Sequence, residues 1–108
     1  MQIDYTIIEV PDMNDSVSRV VLNGTAYEIR FTYNDTGDYW KFSLYDSLKE
    51  PIVLGIKIVP SLPLNLFYGV TKLPFGVFGV RTKLDRVGRS AFRDGQAEFI
   101  FAPAESGS

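Results

Sequence analysis

From Thr25 to Asp46 the side chains alternate almost without a fault, and a chain with that alternation has to build a sheet. Tyr27, Ile29, Phe31 and Tyr33 interleave with Ala26, Glu28, Arg30 and Thr32. After the polar turn Asn34-Asp35-Thr36-Gly37-Asp38, Trp40, Phe42 and Leu44 interleave with Lys41, Ser43 and Tyr45. A period of two sends one set to each face of a pleated strand. Upstream, Asn23-Gly24 supplies the positive φ angles of a two-residue hairpin turn. Downstream, residues 52–59 (IVLGIKIV) are almost wholly apolar, which predicts a central strand or one buried on both faces. These pieces predict an antiparallel meander.

The flanks extend it. Residues 3–10 read as a first strand, ended by Pro11, which has no amide hydrogen. Residues 16–22 read as the second. Beyond Pro60, Pro and Gly punctuate short apolar pieces. Residues 64–68 are a short strand or one helical turn. Residues 77–82 are a strand, with Gly79 as a bulge or a close-approach point. Residues 84–95 are a surface loop, and 96–102 a final strand. No stretch carries an apolar stripe at helical spacing. The fold class is therefore all-β: a small antiparallel meander closing into a β-barrel or compact sandwich, an OB-like barrel among the options. Closure would also remove open strand edges. Residues 1–102 are expected to form a single β domain and 103–108 a flexible C-terminal tail.

The composition narrows the chemistry. In 108 residues there is neither His nor Cys. That removes the common near-neutral general base, thiolate ligands, disulfides, and Ser–His–Asp or Cys–His arrangements. Asp35 and Asp38 are close, but Asp in a turn serves local hydrogen bonds. The same turn lacks the ligand spacing of a calcium loop. No catalytic, cofactor-binding or metal-binding residue is predicted, and no enzyme is expected. The first ten residues show no basic-plus-apolar leader, and no apolar run nears the roughly 20 residues of a membrane span. A soluble protein with no membrane partner is expected.

Two surface features remain. Arg81, Lys83, Arg86, Arg89 and Arg93 fall within thirteen positions that hold a single acid, Asp85, whereas residues 1–60 hold nine acids and five bases. This is a candidate basic docking loop, for an acidic partner or for nucleic acid, or else a solvated loop beside an acidic sheet. Only Phe92 offers a ring inside it, and single-strand binding needs stacking platforms as well as charge. Residues 60–78 are long and apolar for a loop. Left in water they would form a patch that monomers avoid. Leu64, Leu66, Phe67, Tyr68, Phe75 and Phe78 are the candidate interface with a neighbouring chain.

Three segments, in order, carry a resemblance. They are Leu22-Asn23-Gly24-Thr25-Ala26-Tyr27, then residues 39–46 (YWKFSLYD), then residues 52–60 (IVLGIKIVP). The order resembles the baseplate plug family of contractile-tailed bacteriophages, with its pattern L-D/N-G-x-x-Y, W-x-x-x-L-x-D and I-x-x-G-x-x-L/I-V-P. It covers residues 20–64. Where the family often has Gly after the Asp, this chain has Ser47-Leu48-Lys49-Glu50. Where it often has Pro-Gly after the fifth strand, this chain has Pro60-Ser61. The resemblance implies a virion structural protein at the centre of the tail baseplate, assembled in the host cytoplasm. It would be a homo-oligomer packed against hub, tube or spike proteins that helps close the channel before ejection, with no cofactor. The alternative is an OB-like single-stranded nucleic-acid-binding module using residues 81–93.

Overall fold

The computed structural model describes residues 5–22, 24–60 and 76–103. Seven strands run through them: β1 (Thr6–Ile8), β2 (Asp15–Leu22), β3 (Thr25–Asn34), β4 (Tyr39–Asp46), β5 (Pro51–Ile58), β6 (Gly76–Thr82) and β7 (Ala97–Pro103). Every pairing is antiparallel. No helix occurs among the described residues. The expected meander is the sheet β2-β3-β4-β5, and a second sheet has the order β1-β7-β6.

The alternation sets the core. Ile29, Phe31, Phe42 and Leu44 are buried on the inner face of the first sheet, and Phe78, Phe99 and Phe101 face them from the second. Phe99 closes the gap between the sheets: its ring centroid lies 5.2 Å from Phe31 and 5.0 Å from Phe42, both at steep edge-on angles. Such pairs add about 0.5–1.5 kcal/mol each beyond area burial.

Among the described residues the sheets do not close into a barrel. Strands β2 to β5 pair in chain order, β6 pairs with β7, and β7 returns to β1, but no pairing joins β1 to β2 or β5 to β6 among the described residues. The result is sandwich-like. The apolar run at 52–59 is likewise corrected: its strand ends its sheet among the described residues, and Leu54 is 58% exposed. The register explains why so apolar a strand shows a side chain to water. Phe42 faces Ile56 while Leu44 faces Val53, so β5 carries an extra residue there, and a further shift follows at Tyr45. Gly55 makes that bulge possible with φ +62°, and its amide donates to Ser43 Oγ at 2.9 Å. Gly79, expected as a bulge or a close-approach point, makes no bulge: it pairs in unbroken register with Ile100.

Turns follow their sequences. The Asn34 side chain accepts from the Gly37 amide at 2.8 Å. Asp46 Oδ1 accepts from the amides of both Leu48 and Glu50 at 2.9 Å, closing the β4–β5 turn. In that turn Lys49 takes φ +67°.

Candidate assembly interface

The connection from β6 to β7 was expected to lie on the surface. It instead straps across one end of the sandwich. Val87 is 2% exposed and Ala91 3%, both within the core cluster. Their small apolar side chains turn into the core, and the adjoining Gly88 and Phe92 meet Trp40. The Trp40 indole N–H donates to the Gly88 carbonyl at 3.0 Å, and its ring meets Phe92 edge-on at 6.0 Å.

The basic residues fasten this strap. Arg89 donates to Asp12 Oδ1 at 2.7 Å and to Asn14 Oδ1 at 2.6 Å, with its guanidinium 5.3 Å from the Trp40 ring and 5.8 Å from Tyr33. Arg86 pairs with the Asp38 carboxylate and also donates to the Asp38 carbonyl at 3.2 Å. The same carboxylate accepts from the Tyr33 hydroxyl, and that bond, with some desolvation, raises the Tyr33 pKa above its usual 10.0. Arg81 stands over Tyr5 at 4.9 Å and pairs with Glu98 at 3.6 Å. Arg93 pairs with its neighbour Asp94 at 3.1 Å. Lys83 has no ion pair among the described residues. Four of the five proposed docking cations thus already face carboxylates. Asp12 and Asp38 had no mark in the sequence as their partners, because the pairs span 77 and 48 residues.

Of the candidate interface residues, Leu64, Leu66, Phe67, Tyr68 and Phe75 lie outside the described residues, as does the segment 64–68. Phe78 is 1% exposed, its ring 5.2 Å from both Phe42 and Phe101. Its surface is spent inside the fold.

The outer face of β2 lies outside the predicted sites. Val17 is 58% exposed and Val21 59%, flanking Arg19, which has no ion pair among the described residues. Asp15 precedes them, its carboxylate held by Arg30 through bonds of 2.8 and 2.6 Å. Those bonds keep the Asp15 pKa below its usual 3.8, so the group stays ionised near neutrality. A cleft of about 300 Å³ separates Ser18, Arg19, Val20 and Val21 from the β1 side. The signal was present as valines at odd positions of a strand whose even positions, Ser16, Val20 and Leu22, turn inward. No cluster of three or more acidic side chains able to hold a metal occurs among the described residues.

The family model described as "Cyanophage baseplate Pam3 plug gp18" matches residues 5–104. No curated protein matches the chain.

Proposed function

This chain belongs to the cyanophage baseplate plug family, and on that premise we propose that it sits at the centre of a phage tail baseplate and helps close the tail channel before ejection. It is a structural component of the virion baseplate, in association with other baseplate components. In the finer reading it packs between tube, hub or spike subunits of a contractile tail, in several copies, after assembly in the host cytoplasm. It acts through buried interface area and turns over no substrate. The observation that carries this is the extent of the match: residues 5–104 take in all seven strands. Leu64, Leu66, Phe67, Tyr68 and Phe75 remain the proposed contacts with neighbouring chains, since an apolar segment of that length needs a cover.

The test is to locate the chain in the particle. A compact label fused to it should appear by electron microscopy on the tail axis at the baseplate, and label along the tail or absent from particles overturns the reading. For the contacts, replacing Phe67 and Phe75 with Ala should lower incorporation into particles and leave the unfolding midpoint of the free chain nearly unchanged. Equal loss of both would make these rings core.

A further inference from the structure

Because the barrel does not close, β2 keeps an edge with no strand beside it among the described residues. Its polar groups can be assigned. Leu22 and Thr25 face each other across a two-residue loop, which makes them a hydrogen-bonded pair, and the Tyr33 amide donates to the Asn14 carbonyl at 2.8 Å. Even-numbered residues of β2 therefore bond to β3. The amides and carbonyls of Asp15, Val17, Arg19 and Val21 point to the free side. The same four residues expose their side chains. The strand is eight residues long, with no Pro, no Gly and an unbroken register. Natural sheets blunt such an edge, because it is a template for another strand.

We propose that the free edge of β2 pairs antiparallel with the β2 edge of a second copy of this chain, with Val17 on the two-fold axis. The proposal rests on the reading that the chain assembles with copies of itself, and it names the surface. Residues facing each other across an antiparallel pair share a sheet face, so outer residues must meet outer residues. Three registers then compete near the middle of the strand. With Arg19 on the axis, two guanidiniums oppose each other, which is unfavourable. With Ser18 on the axis, Arg19 faces Val17 and Asp15 faces Val21, and no charges match. With Val17 on the axis, each Asp15 faces the partner's Arg19, and the two Val17 side chains pack together. Asp15 is already held in place by Arg30. An arginine arriving from the partner completes an Arg–Asp–Arg row on the outer face. This register pairs residues 15–19, so of the β2 residues lining the β1–β2 cleft it takes in Ser18 and Arg19 and leaves Val20 and Val21 outside.

The chain has no Cys, so an introduced thiol reports without background. Hydrogen-bonded pairs place their Cα atoms about 5.5 Å apart, within disulfide reach. Oxidised Val17→Cys should form a covalent dimer, and Val21→Cys should not. In sedimentation equilibrium the unmodified chain should associate reversibly. Arg19→Ser should weaken that association by about tenfold or more, a change of about 1.4 kcal/mol. Arg19→Pro should abolish it while keeping the fold, because that amide serves no bond among the described residues. If the unmodified chain is a monomer at every concentration, both self-assembly and this surface are lost. If it associates, but Val17→Cys cross-links no better than Val21→Cys, only this surface is lost. Stronger association of Arg19→Ser overturns the register by placing Arg19 on the axis.

Discussion

Trp40 shows how one side chain can do two jobs when its alternation is read correctly. Its phase with Phe42 and Leu44 predicts burial, and it is 1% exposed. Burial obliges the indole N–H to find a partner, which it does in the Gly88 carbonyl, 48 residues away. Trp40→Phe leaves that carbonyl unpaired and opens a cavity, so it should cost about 2–4 kcal/mol, read from urea unfolding. Tyr33 predicts a pH effect. Its hydroxyl donates to Asp38, so ionisation of the phenol removes a bond and sets two negative charges together. The folded pKa is raised above 10.0. A raised pKa means the contribution is fully present below the unfolded pKa and is lost as pH rises through the folded one. Stability should therefore fall at strongly alkaline pH, and Tyr33→Phe should remove that part of the decline. An unchanged alkaline limb in the variant would show that the bond contributes nothing to folding.

The turns and strands show what a sequence announces and what it withholds. All four strands of the meander were legible, because hairpin turns and a period of two are local signals. The same motif pieces that carry the family resemblance are scaffold parts: Gly24 at φ +78°, Asp46 closing a turn, Gly55 at a bulge. The exposure of Leu54 was not legible, since an apolar run does not say whether a strand is central or ends its sheet. The two buried side chains of the strap are illegible for a related reason. Val87 and Ala91 sit among Arg and Gly residues, and only the fold shows the core that they fill. The β4–β5 turn offers a test. Lys49 holds φ +67°, a conformation that strains an L side chain, at a turn where the family often has Gly. Lys49→Gly should raise stability by about 0.5–1 kcal/mol, since its pairing with Glu28 at 3.9 Å is exposed and weak. A lower unfolding midpoint would mean the ion pair outweighs the backbone strain.

For the molecule as a whole, the sequence shows an acidic first half and a basic stretch near the end, and folding brings the two together. Arg86 and Arg89 land on Asp38 and Asp12, while Arg81 and Arg93 find Glu98 and Asp94. Arg86 and Arg89 tie the strap to the first half of the chain, Arg81 joins β6 to β7, Arg93 meets only its neighbour, and the net charge is −2. These pairs weigh against single-strand binding and set up its test. A single-stranded nucleic acid held by five cations would lose affinity with salt at a slope of about −0.7 per phosphate neutralised. Among the described residues the four arginines are paired, and Lys83 is the one member of the group left to meet a phosphate. Breaking the other pairs would strand carboxylates beside the bound strand. Filter binding at low salt should therefore show weak retention, with a slope no steeper than about −1. Arg86→Ala and Arg89→Ala should loosen the strap, raising protease cleavage within residues 83–96, without lowering that residual binding. A steep slope, flattened by the same two substitutions, would mean that the fastenings open for a polyanion and that the strap is a binding surface after all.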